Sequence, residues 1–290
     1  MRQLLILSGK GGTGKTTITS AFVKLAGARA FADCDVDAPN LHLVLKMQGE
    51  PQRDDYYGLD KAEIDGKSCT ACGLCQEHCR FGAIEACGEV YTVNYYACEG
   101  CGVCEAICPR GAVSLKPAVA GELKLYREET VFSTAQLTMG SGNSGMLVSE
   151  VKGRMKEAAG DVELAIIDGS PGIGCPVIAS LSGVDMVLIV AEPSLSGISD
   201  MERILKTAGQ FQTKAAVCVN KYDINRENTR RIEEYCAHRS LPYLGAIPFD
   251  SSVVEAVNQG KSIVDVDCPA GRAVRAVFIK TMEVLKGSRS

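Results

Sequence analysis

The run GKGGTGKTT at residues 9–17 constrains this chain more than any other stretch. An apolar segment, Gln3–Ser8, leads into it and SAFVKLAGA follows at 20–28, which predicts a buried parallel strand, a glycine loop and a helix in immediate succession. Gly9, Gly11, Gly12 and Gly14 let backbone N–H groups converge on phosphate oxygens, with Thr13 and Thr17 in the same loop. Lys15 then reaches the outer phosphates and the Thr16 hydroxyl can ligate Mg²⁺. A plain glycine turn would not need the strand, the spacing from Gly9 to Gly14 and the helix start to agree. Lys10 adds a second cation near the phosphates.

Acidic residues recur where such a loop needs them. The next strand, roughly 28–32, runs into DCDVDAPNL at 33–41, and VELAIIDGSPGIG at 162–174 ends a further strand at Asp168. Ligands of doubly wound sheets collect outside the carboxyl ends of strands, so Asp33 and Asp168 are expected on the magnesium side and Asp35 is placed to orient a water. Strands at 184–191, 215–220 and 243–247 alternate with helices at 198–209 and 226–238. That alternation predicts an α/β fold of the P-loop class, with a mostly parallel sheet and helices on both faces. Asn220-Lys221-Tyr222-Asp223 formally matches the NKxD pattern that reads guanine in many GTPases. The Asn220 amide can bond either purine, and Asp223 can face the base or cap the following helix, so these residues leave ATP against GTP open.

Cysteine placement is equally uneven. Nine of the 14 cysteines fall between Cys69 and Cys108. A long chain with such crowding points to metal ligation rather than a disulfide framework. CTACGLCQEHC at 69–79 and CEGCGVCEAIC at 98–108 are each C-x₂-C-x₂-C-x₃-C. Three near thiolates and one distant thiolate per cube predict two [4Fe–4S] clusters, one on Cys69, Cys72, Cys75 and Cys108, the other on Cys79, Cys98, Cys101 and Cys104. Zinc ligation and inert thiols are the competing assignments. Cys87 is read as a packing residue. Residues 60–116 thus form a small α+β two-cluster insert, with too few apolar residues to fold without its clusters, between a first part of the ATPase domain at 1–59 and a second at 117–290.

The remaining composition excludes other classes. With 31 basic against 35 acidic residues there is no positive field to gather nucleic acid. The apolar stretches are far shorter than the roughly 20 residues of a membrane span, and no leader-like segment opens the sequence. A cytoplasmic location is expected, without stable membrane insertion.

GKGGTGKTT with Lys10, DCDVDAPNL and IIDGSPGIG resemble the deviant Walker A, switch I and switch II segments of the MinD and nitrogenase-iron-protein group of P-loop ATPases. The likeness covers almost the whole chain and looks like a subgroup with an inserted bacterial-type two-cluster ferredoxin. It implies an ATPase that dimerises around nucleotide, with Lys10 reaching the partner's phosphates, Lys15 and Thr16 serving their own loop, Asp33 and Asp168 on Mg²⁺ and Asp35 on the attacking water. It also implies that Asn220 and the Pro248-Phe249-Asp250 turn lie against adenine, which favours ATP. The chain lacks the closely spaced C-terminal cysteine pair of the iron–sulfur scaffold ATPases, and TMEVLKGSRS at 281–290 is a poor match to a basic amphipathic membrane anchor. Cys175 follows switch II without a second matching cysteine and is read as a buried thiol.

Together these expectations describe an ATPase whose nucleotide state gates electron transfer through two [4Fe–4S] clusters to a redox partner protein. The alternative is an ATP-dependent organiser or metallocluster-assembly factor whose ferredoxin part senses redox or serves recognition. A corrin-type amidoligase is disfavoured because only His42, His78 and His238 are present and no glutaminase domain is evident.

Overall fold

A computed structural model describes residues 1–287. Residues 288–290, the end of the TMEVLKGSRS stretch, lie outside the described residues. The chain begins with β1 (Arg2–Leu7), α1 (Lys15–Ala26), β2 (Ala30–Asp33), α2 (Leu41–Val44) and β3 (Gln52–Tyr57). A lobe follows, made of β4 (Lys61–Ile64), α3 (Leu74–Glu77), β5 (Ile84–Cys87), β6 (Val90–Val93), α4 (Val103–Ile107) and β7 (Val113–Lys116). The chain then returns through β8 (Val119–Arg127), β9 (Val131–Leu137), α5 (Ser144–Ala159), β10 (Leu164–Asp168), α6 (Cys175–Leu181) and β11 (Met186–Ala191). It ends with α7 (Leu195–Gln210), β12 (Lys214–Asn220), α8 (Arg226–His238), β13 (Tyr243–Ile247), α9 (Ser251–Asn258) and α10 (Pro269–Lys286).

Nine strands form one sheet in the order β13-β12-β11-β1-β10-β2-β9-β8-β3. The run from β13 to β9 is parallel, whereas β8 and β3 complete the edge antiparallel. Parallel strands are covered on both faces, which is why residues 4–7 of β1, residues 164–167 of β10 and the whole of β11 read as apolar runs; all six residues of β11 are buried. One face packs Leu147, Val151 and Met155 of α5, Val177 and Leu181 of α6, Met201 and Ile204 of α7 and Ile232 of α8. The other packs Ile18 and Phe22 of α1 with Val274 and Val277 of α10.

The antiparallel edge is where the structure departs from the sequence reading. β3 and β8 pair with each other, so the lobe grows out of the edge of the same sheet, as two two-stranded sheets, β4 with β7 and β5 with β6. Its small core holds Ala62, Ala83, Ile84 and Val113 together with the buried side chains of Cys98 and Cys104. The expected interruption by a two-cluster ferredoxin is therefore corrected to a single continuous P-loop fold with a mixed sheet. Among the described residues, no group of three or more His, Cys, Asp or Glu side chains is arranged to hold a metal ion.

Candidate nucleotide site

β1, β10 and β2 are adjacent, and their carboxyl ends deliver the glycine loop, Asp168 and Asp33 to one place. Ile6 aligns with Asp168, and Asp168 with Asp33, in the parallel ladders. Gly12 and Gly14 take positive φ angles of 77° and 87°, conformations that suit glycine, and a Cβ on Gly14 would collide with the Asn220 amide. The loop then opens directly into α1 at Lys15.

Lys15 is buried and its ammonium stands 2.7 Å from Asp168 Oδ1. Asp168 is fully buried; it accepts from the Thr16 hydroxyl at 2.7 Å through Oδ2 and from the Thr19 hydroxyl at 2.7 Å through Oδ1. Asp33, also fully buried, accepts from the backbone N–H groups of Asp35 at 3.0 Å, Asn40 at 3.0 Å and Leu41 at 2.9 Å. Its carboxylate thus shapes the switch I turn while standing beside Asp168. Burial pushes the Asp33 pKa up, the Asp168 charge adds to that rise, and the backbone donors and Lys15 oppose it. Asp35 is also raised, first by burial and then by Asp168, with Lys15 acting the other way. The Thr13 hydroxyl is buried with no hydrogen-bond partner, a polar atom left for a ligand in the loop. Thr16, Asp33 and Asp168 offer the hard oxygen donors that Mg²⁺ takes, so this part of the site fits a magnesium nucleotide.

The switch II entry is fixed to the sheet: Gly169 N–H donates to Ile6 O at 2.9 Å, Gly172 N–H to Ser8 O at 3.0 Å, and the Ser170 hydroxyl to Cys34 O. Lys10 points away from its own loop, ion-paired with Glu192 and 3.4 Å from the Ser194 hydroxyl. Asn220 donates to Thr13 O at 2.7 Å and Lys221 to Gly12 O at 2.9 Å. Asn220 aligns with Ile247 across β12 and β13, which brings the Pro248-Phe249-Asp250 turn beside it. Phe249 is exposed, whereas the Asp250 carboxylate accepts from Ser252 N–H at 3.0 Å and Ala270 N–H at 3.3 Å and so caps α9.

Sequence reasoning missed Thr19, Glu192, Ser194 and the loop contact of Lys221. Thr19 lies four residues beyond Lys15 on the same helix face, and Glu192 sits just past the carboxyl end of β11, where site residues gather. Both signals were present in the spacing.

The cysteines lie in the lobe. Cys69, Cys72, Cys75 and Cys108 line one small cavity, and Cys79, Cys98, Cys101 and Cys104 line another. Three of the sulfurs accept backbone N–H bonds: Cys98 from Ala62 at 3.5 Å, Cys79 from Ala83 at 3.4 Å and Cys108 from Ala112 at 3.3 Å. Neither set forms a metal-holding group among the described residues. The expected [4Fe–4S] ligation by these eight residues, and the electron-transfer chemistry built on it, are corrected accordingly. Cys87 is exposed on β5, and Cys175, expected to be buried, is exposed at the start of α6.

A phosphate loop, a buried lysine paired with a strand-end aspartate and a hydroxyl on that aspartate define a P-loop ATPase. The sequence pattern of the CobQ/CobB/MinD/ParA nucleotide binding domain matches residues 4–263, and the chain belongs to that family. It is 30% identical over 288 residues to an uncharacterised protein of Methanocaldococcus jannaschii, covering 98% of this chain and 97% of the relative. Among solved structures it resembles the Pyrococcus horikoshii septum site-determining protein MinD complexed with Mg-ADP, with a TM-score of 0.57 and 19% identity over 100% of this chain and 99% of the other. It also resembles a chain of the MinC:MinD cell division complex of Aquifex aeolicus, with a TM-score of 0.55 and 20% identity over 98% and 96% of the two chains. These two likenesses concern the fold. None of the described helices is long and apolar enough to cross a membrane.

Proposed function

We propose that the chain is an ATP-dependent organiser, which pairs with a second copy of itself around ATP and in that state captures a partner protein through the cysteine-bearing lobe at 60–116. In this reading 1–59 and 117–290 form the ATPase part. The observation that carries it is Lys10. This cation of the phosphate loop makes no bond to its own loop; it rests on Glu192 and Ser194 with its side chain 40% exposed, where a second molecule's phosphates can take it over.

Within one copy, Gly9, Gly11, Gly12, Thr13, Gly14 and Thr17 form the cradle, and Lys15 exchanges Asp168 for the outer phosphates. Thr16, Asp33 and Asp168 would hold Mg²⁺, which neutralises phosphate charge when bound. Asp35, half-buried beside Asp168, orients the attacking water. Asn220 and the turn at 248–250 form the adenine end. The fold shared with a MinD chain complexed with Mg-ADP supports the nucleotide reading, and the fold shared with a MinD chain in complex with MinC supports capture of a partner protein.

Light scattering of the full chain tests the pairing. With a non-hydrolysable ATP analogue and Mg²⁺ the mass should double from 30.8 kDa, with ADP it should not, and Lys10→Ala should stay monomeric. A monomer at every protein concentration with the analogue would refute the proposal.

A further inference from the structure

The NKYD segment after β12 is an NKxD match, yet its contacts are not those of a guanine reader. The Asn220 amide donates to Thr13 O at 2.7 Å, and its oxygen accepts the Lys221 N–H at 3.0 Å. Lys221 holds a left-handed conformation, φ 55°, and its ammonium reaches Gly12 O at 2.9 Å. These two side chains therefore clasp consecutive carbonyls of the phosphate loop. Asp223 turns the other way: its Oδ1 accepts the backbone N–H of Phe249 at 2.7 Å, joining loops 26 residues apart. The far side of that turn is already fixed, because Asp250 caps α9 and bonds to Ala270 at the start of α10. Phe249 is thus a ring held at both sides of its backbone and 54% exposed.

A carboxylate reads guanine by accepting from N1–H and the 2-amino group together, which needs both oxygens aimed at the base. With its Oδ1 aimed at the Phe249 N–H, the Asp223 carboxylate faces the neighbouring turn instead. We propose that Asp223 is a positioning residue for the base end of the site: it holds the Phe249 turn as an apolar wall for adenine, so that NKYD clasps two loops instead of reading guanine. This rests on the ATP reading above and assigns its base selectivity to a loop-to-loop bond.

Competition binding on the full chain tests it, with fluorescent ADP, fluorescent GDP and tripolyphosphate, a probe that has no base. The wild type should prefer ADP to GDP. Asp223→Ala should weaken ADP by about 5- to 10-fold, the scale of one lost hydrogen bond that orders a wall, and leave tripolyphosphate unchanged. Asp223→Asn keeps an acceptor oxygen and should remain within about twofold of wild type. Phe249→Ala should reproduce the ADP loss with tripolyphosphate again unchanged, and it carries the test should Asp223→Ala melt early. A wild-type preference for GDP, an Ala variant that loses only GDP, or an Asn variant as weak as Ala would overturn the assignment. Failure of the wild type to bind tripolyphosphate or either nucleotide would instead refute the nucleotide site itself.

Discussion

Lys152 is a lysine on α5 whose ammonium donates to Ala179 O at 3.2 Å, Ser180 O at 2.7 Å and Ser182 O at 2.6 Å, the carbonyls that close α6. All three of its donors are satisfied, and α6 is the helix that switch II runs into. Lys152→Met keeps the apolar stem and removes the bonds. Charge-assisted hydrogen bonds contribute roughly 1.5–3 kcal/mol each before the cost of desolvating the ammonium is deducted, so a net loss of about 2–4 kcal/mol is expected. For 290 residues the unfolding entropy is about 0.6 kcal/mol/K, which converts that loss to a melting-point drop of roughly 3–7 °C. Arg154, two residues on, pairs with Asp54 and Glu150 nearer the surface, and Arg154→Gln should cost about 1 kcal/mol or less. Burial lowers the Lys152 pKa, so the unfolded chain keeps this proton to higher pH than the folded one. The stability difference between wild type and Lys152→Met should therefore widen as pH rises toward 10.5. Thermal melts of the three proteins across pH decide the matter. A Met variant that melts within about 1 °C of wild type at neutral pH, or no lower than Arg154→Gln, would refute the reasoning.

Lys15→Ala should abolish ATP hydrolysis, measured as phosphate release, because the buried ammonium 2.7 Å from Asp168 is the cation placed to move onto the phosphates; undiminished turnover would remove it from the site. Thiol alkylation followed by mass spectrometry should separate the cysteines by environment. Burial pushes Cys34 and Cys218 up to about 12 and Cys236 up to about 11, so at pH 8 these three should label only after unfolding. Exposed Cys87 and Cys175 should label in the native protein.

The legible parts of this fold were those governed by local chemistry. β13 and α8 fall at 243–247 and 226–238 as their periodicity indicated, and β11 differs only at its first residues. The strands that escaped notice, β3, β8 and β9, form the antiparallel edge. β8 alternates buried and half-exposed residues, and β3 carries Arg53, Asp54 and Asp55. A charged edge strand is a common guard against edge-to-edge pairing, and it leaves no apolar run to read. Such strands are recognisable only once their partners are known.

The same division explains the site. Gly12, Gly14, Lys15, Thr16, Asp33 and Asp168 come together at one end of the sheet, a placement that follows from residue type and from position at a strand or helix end. Lys10 was placed near the phosphates, yet where its ammonium rests depends on Glu192, 182 residues away in sequence. Asp223 shows the limit most clearly, since its pattern matched a guanine reader while its carboxylate is held by Phe249 N–H. The cysteine runs make the converse point. Their spacing groups four residues around each cavity, but it does not set the contacts of the sulfurs: Cys79, Cys98 and Cys108 accept backbone N–H bonds, and Cys72 and Cys101 are exposed. A motif names the donors a segment owns; the contacts each donor makes decide whether a site forms.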